Sequence, residues 1–108
     1  MGHGEKKMRI GIISGYFNPI HTGHLDYIEG AKQKCDLLYV IVNNDHQVNI
    51  KGSKQFMDED SRLRIVRALY CVQKAMVSID QDSTVVKSIE KIDKEYQNNP
   101  FISGVYFM

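Results

Sequence analysis

The sequence predicts a single α/β domain, a three-layer sandwich whose parallel sheet has its four strands in the order 3-2-1-4. Three observations point there. Four short apolar runs rich in β-branched and aromatic residues alternate with three stretches of helical periodicity in a chain of 108 residues. The second run, "LLYVIV" (Leu37–Val42), has no polar alternation, the pattern of a strand covered on both faces. The loop "GYFNPIHTGH" (residues 15–24) joins the first run to the first helix, and sheets of this kind bind ligands beyond the carboxyl ends of their strands, where the strand order reverses.

In chain order, the polar and glycine-rich opening (residues 1–7) reads as a flexible arm, and the domain as residues 8–108. "MRIGII" (Met8–Ile13) reads as the first strand. Leu25, Ile28, Ala31 and Cys35 then fall three and four apart, which lays one apolar stripe along a helix. After the second strand, Leu63, Val66 and Leu69 repeat that spacing, followed by a third strand, "AMVSI" (Ala75–Ile79). Val85, Ile89, Ile92 and Tyr96 mark the third helix, with Asp82, Ser83 or Thr84 as its expected cap, and "FISGVYF" (Phe101–Phe107) the fourth strand. The segment between the second strand and Leu63 reads as a turn, "NND", and a mobile loop carrying "KGSK".

Composition excludes several function classes. A formal net charge of +1 gives no footprint for wholesale nucleic-acid or anionic-membrane binding, and no apolar stretch approaches the ~18 residues of a membrane span. Cys35 and Cys71 form no CxxC pair and read as small buried hydrophobes, and with no signal peptide in view the expected compartment is the cytosol. Neither GxGxxG nor GxxxxGK[ST] occurs, so any phosphate must be held by other means.

The loop after the first strand offers such means. A helix start near Thr22 presents unpaired backbone N–H groups and the positive end of a dipole, and Gly23 leaves room for close approach. His21 and His24, three apart on the first turn, can each direct a ring N–H toward an anion, charged or not. On the residues alone, both histidines also read as backbone caps, Asp45 as a turn former, and Arg62 as a surface partner of Asp58 or Glu59.

"GYFNPIHTGH", then "VIVNNDHQVNIKG", "MDEDSRLRIVRALYCV" and "MVSID", resembles the HxGH nucleotidyltransferases, most closely their cytidylyltransferase-like branch. That branch includes glycerol-3-phosphate and phosphocholine cytidylyltransferases and adenylyltransferases that activate sugar phosphates. The resemblance covers roughly Met8 to Ile92. It implies a Rossmann-like fold, and transfer of CMP or AMP from CTP or ATP to a small phosphomonoester with release of pyrophosphate, Mg²⁺ accompanying the triphosphate. It implies roles for matching positions as well. His21 and His24 would stabilise charge on the α-phosphate and departing pyrophosphate, and Lys51, ahead of Lys54, would reach the triphosphate. Gly15, Tyr16, Phe17, Asn18, Thr22, Gly23 and Arg62 would contribute to nucleotide binding, and Asp45 would lie near the acceptor. A cytoplasmic homodimer is the implied assembly.

Two departures leave alternatives open. Asn18, followed by Pro19, stands where that branch commonly has aspartate, and "FNPIHTGH" is closer to the nicotinate mononucleotide adenylyltransferases. The family's glycine-rich loop and serine/threonine-rich helix start would come after the fourth strand signal, beyond Met108. A base pocket open on one side, with CTP and ATP binding within about tenfold of each other, is therefore expected, and a nucleotide-binding chain without catalysis is the third reading.

Overall fold

The computed structural model describes residues 6–108; the first five residues, and most of the expected arm with them, lie outside the described residues. Its strands are β1 (Met8–Gly15), β2 (Leu37–Val42), β3 (Lys74–Val77) and β4 (Ile102–Phe107), and its helices α1 (Thr22–Lys32), α2 (Asp45–Lys51), α3 (Glu59–Arg67) and α4 (Val86–Tyr96). All strand pairs are parallel and the order is β3-β2-β1-β4, as the alternation of signals predicts. β1 pairs with β2 from Ile10 opposite Leu37 to Gly15 opposite Val42, so both strands end level at the carboxyl edge.

The unbroken apolar run of β2 is explained by burial on both faces. Leu38, Val40 and Val42 pack with Ile13, Ile28 of α1 and Val66 of α3. Tyr39 and Ile41 point the other way and pack with Ile10, Ile12 and Ile92 of α4. Each fully buried aliphatic side chain contributes roughly 2 kcal/mol by leaving water. Cys71 sits in the first cluster, where burial pushes its thiol up from the usual pKa.

Two elements differ from the sequence expectation. The segment after β2 is not a mobile loop throughout: Asp45–Lys51 forms α2, so Lys51 is the last residue of a helix that ends on left-handed Gly52. Only Val48 and Ile50 are apolar there, too few to draw a stripe, so the helix rests on its cap. Asn44 accepts a hydrogen bond from the Gln47 N–H and the Gln47 side chain answers to the Asn44 N–H, a reciprocal capping box. The cap of α4 is likewise not Asp82, Ser83 or Thr84. The Asp80 carboxylate reaches across the loop and accepts from the Lys87 and Ser88 N–H groups at 2.8 and 3.0 Å.

Candidate active site

The carboxyl ends of β1 and β2 open on a cleft of about 480 Å³. Gly15, Tyr16 and Asn43 form one side, and Thr84, Val86 and Phe107 the other.

Beside it, α1 begins with a cap made of imidazoles. The His21 Nδ1 accepts from the Gly23 N–H at 3.1 Å, and the His24 Nδ1 accepts from the His21 N–H at 3.1 Å. A backbone N–H can only donate, so both Nδ1 atoms carry lone pairs and each neutral ring bears its proton on Nε2. The rings stack with centroids 3.8 Å apart, and Phe17 meets His24 edge to face at 5.1 Å. Burial first, and the neighbouring His21 second, hold the His24 pKa below its ordinary 6.5, which favours the neutral capping form. Gly23 is required by this arrangement: a Cβ there would lie 2.9 Å from the His21 ring. The close approach that its missing side chain permits is therefore made first by the cap itself. With the Gly23, His24 and Leu25 N–H groups engaged, the Thr22 N–H is left without a partner among the described residues.

Lys51 comes to this region from α2. Its ammonium lies over the Tyr16 ring, 4.2 Å from the centroid, and Tyr16 lines the cleft. Lys54 points instead to Phe56, 5.3 Å from that ring.

Phe17 and Asn18 hold the loop. Phe17 takes a left-handed φ of 51° and buries its ring in the core. The backbone conformation costs on the order of 1 kcal/mol, which the ring's burial offsets. Gly15 makes room for that ring, since a Cβ there would approach it to 2.6 Å. Asn18 donates to the Lys54 carbonyl at 2.8 Å and accepts from the Phe56 and Met57 N–H groups, which ties the histidine loop to the 54–57 segment.

Arg62 is 1% exposed and is no surface partner of Asp58 or Glu59. Its guanidinium donates to the carbonyls of Tyr16, Asn43 and Met57 and to Asp45 Oδ1 at 2.8 Å. A guanidinium can satisfy so many acceptors at fixed angles where an ammonium cannot. Arg62 and Asp45 together therefore fasten the β1–α1 loop, the end of β2 and the start of α3 to one another.

Sequence reasoning missed a second polar network, which joins Asn43 to Thr84, both in the cleft lining. Gln47, 0% exposed, donates to the carbonyls of Asp82 and Thr84 at 2.8 Å each and accepts from Asn43 Nδ2 and the Asn44 N–H. Asn44 donates to the carbonyls of Ser78 and Asp80. Asp80 accepts from the Ser88 hydroxyl at 2.6 Å; burial alone would raise its pKa, but this bond, the two α4 N–H groups and Ser78 hold it below its ordinary value. The N-x-x-Q spacing of Asn44 and Gln47 was the signal available for this network; Asp80 left none.

Comparison with known proteins bears on the family and the fold. Residues 12–108 match the family described as Cytidylyltransferase-like. The chain is 34% identical over 102 residues to the "Bifunctional protein HldE" of Nitrobacter hamburgensis, covering 93% of this chain and 20% of that protein. It is 38% identical over 84 residues to the "FAD synthase" of Methanocella paludicola, covering 78% of this chain and 58% of that one. The chain thus spans a fifth of the first relative and just over half of the second. In fold it is similar to the lipopolysaccharide core biosynthesis protein from Thermoplasma volcanium, with a TM-score of 0.70 at 19% identity over 94% of this chain and 96% of that one. With the histidine loop, the parallel sheet and a family match over nearly its whole length, the chain belongs to the cytidylyltransferase-like family of nucleotidyltransferases.

Proposed function

We propose that the chain transfers a nucleotidyl group from CTP or ATP to a small phosphomonoester. An oxygen of the acceptor phosphate attacks the α-phosphorus, the bond to the β-phosphate breaks, and pyrophosphate leaves. An ionised phosphate is already a nucleophile at neutral pH, so no protein base is demanded, and catalysis consists of alignment and stabilisation of anionic charge. The observation that carries this reading is the imidazole cap. Because both Nδ1 atoms are held by backbone N–H groups, two Nε2–H donors and the Thr22 N–H remain for phosphate oxygens at the positive end of α1. Lys51, resting on Tyr16, adds the charge for the triphosphate.

In this reading Asn18, Phe17, Arg62 and Asp45 contribute by fixing the loops, and Gly15 and Tyr16 by lining the cleft. Mg²⁺ would accompany the triphosphate, held mostly by phosphate oxygens and water, and would supply charge neutralisation there. No step above is assigned to it.

The name of one relative, an FAD synthase, supports a flavin-type acceptor with an adenylyl donor. We propose a homodimer, to be checked by light scattering, and a cytoplasmic location, which the two free thiols fit. No helix among the described residues is long and apolar enough to cross a membrane.

Pyrophosphate release from CTP and from ATP, with and without a panel of phosphomonoesters, tests the reading. Release that depends on the acceptor supports it. Tight triphosphate binding with no release from any pair would leave a nucleotide-binding chain without catalysis.

A further inference from the structure

The buried amide network fixes which atom the cleft presents to a ligand. Gln47 Nε2 donates to two carbonyls, so its Oε1 must face the other way, and there it accepts from the Asn44 N–H and from Asn43 Nδ2. An oxygen with those neighbours admits only the amino group of Asn43, which turns Asn43 Oδ1 outward. Asn43 is 4% exposed and lines the cleft, yet this Oδ1 has no hydrogen-bond partner among the described residues. No side-chain oxygen or nitrogen among them is both buried and unpartnered, so Oδ1 keeps accessible surface, and the cleft is the opening that Asn43 lines. A hydrogen-bond acceptor held in this way calls for a donor on whatever enters.

The other walls complete the specification. Val86, Ile89 and Phe107 give an apolar surface suited to the face of a ring, and among the described residues no carboxylate lines the cleft to balance a cation. The Tyr16 face, the other place for a cation, already holds the Lys51 ammonium.

We propose, resting on the transfer reading above, that Asn43 determines acceptor specificity. The cleft takes a phosphomonoester whose body is an uncharged ring with an outward hydroxyl or N–H that donates to Asn43 Oδ1, and it disfavours cationic amino-alcohol phosphates. A heterocycle and a sugar both present that chemistry, and the two are separated by experiment.

The test is calorimetric titration of the full chain with four probes: riboflavin 5′-phosphate, α-D-glucose 1-phosphate, phosphocholine and glycerol 3-phosphate. One of the two ring probes should bind at least about tenfold tighter than phosphocholine, and which one does identifies the source. The preferred ring should then lose about tenfold when its donor is removed, as in N3-methyl riboflavin phosphate or the deoxyfluoro glucose 1-phosphates. In Asn43→Ala the same ligand change should cost nothing further. If that variant does not fold, the ligand pairs on the wild-type chain decide. Phosphocholine binding as tightly as either ring, or no loss on removing any donor, overturns the proposal. Ring preference without pyrophosphate release would sustain this specificity while the transfer reading fails. Release that is equally fast with phosphocholine would do the reverse.

Discussion

Two helix starts face the same carboxyl edge of the sheet and are finished in opposite ways. At α4 every N–H of the first turn is taken. Thr84 Oγ1 lies 3.5 Å from the Val86 N–H, the buried Asp80 carboxylate accepts from Lys87 and Ser88, and Ile89 bonds back to Val85. A full negative charge sits on the helix dipole. At α1 the caps are neutral rings, no acidic residue occupies the first turn, and the Thr22 N–H is left over. Both solutions stabilise a helix, but only the second leaves the positive end open to an anion. Under the proposed function, that difference gives α1 the phosphate and leaves the first turn of α4 to the scaffold.

Removing the closed cap should have the largest effect. Asp80→Ala strips charge-assisted bonds from a buried site and leaves the Lys87 and Ser88 N–H groups of α4 unpaired, for a loss of about 3 kcal/mol in denaturant unfolding. A loss under about 1 kcal/mol would mean that the carboxylate is dispensable.

His24→Ala should lower turnover by roughly 10² or more, as loss of an oxyanion-type donor does, and also cost about 1 kcal/mol of stability through the cap. An unchanged kcat with reduced stability would reduce His24 to a cap. Lys51→Ala should act less, raising the triphosphate KM or lowering kcat about tenfold, while Lys54→Ala should do little, because Lys54 lies on Phe56. Equal effects from the two lysines would show diffuse charge.

The smallest effect is a difference in acid sensitivity. The folded pKa of His24 is lowered, so its contribution to stability is complete above the unfolded value near 6.5 and declines as pH falls from there through the lowered folded value. The folded pKa of Asp80 is also lowered, but from 3.8, so its contribution persists above that value and is lost only as pH falls through the depressed one. Amide exchange should therefore show the first turn of α1 loosening as the pH falls below about 6.5 while the first turn of α4 holds. Simultaneous loosening would remove the distinction.

How much of this could be read from sequence depended on whether the information was local. The four strands, their order and the histidine loop were legible because apolar runs and a spaced motif are contiguous in the chain. β1 still ran two residues past the expected Ile13, since Ser14 and Gly15 pair with β2 without being apolar. Arg62 was singled out by the family resemblance, but its place as a buried strut was not legible, because three of its four partners are carbonyls that come together only when β1, β2 and α3 meet. Asp80 and Asn43 were illegible for a similar reason, and Gln47 showed only its N-x-x-Q spacing to Asn44. The α4 N–H groups that Asp80 caps and the carbonyls that Gln47 meets lie on other segments, and buried amides carry no periodicity.

The central claim is that His21 and His24 are neutral caps whose Nε2–H groups receive phosphate. Nitrogen-15 NMR of the histidine rings near pH 7.5, with and without ATP or CTP, tests it most directly. The account predicts both rings in the Nε2–H form before ligand is added, with triphosphate shifting the Nε2 resonances while both Nδ1 remain unprotonated. Nδ1–H rings in the free protein, or Nε2 resonances indifferent to saturating triphosphate, would contradict it.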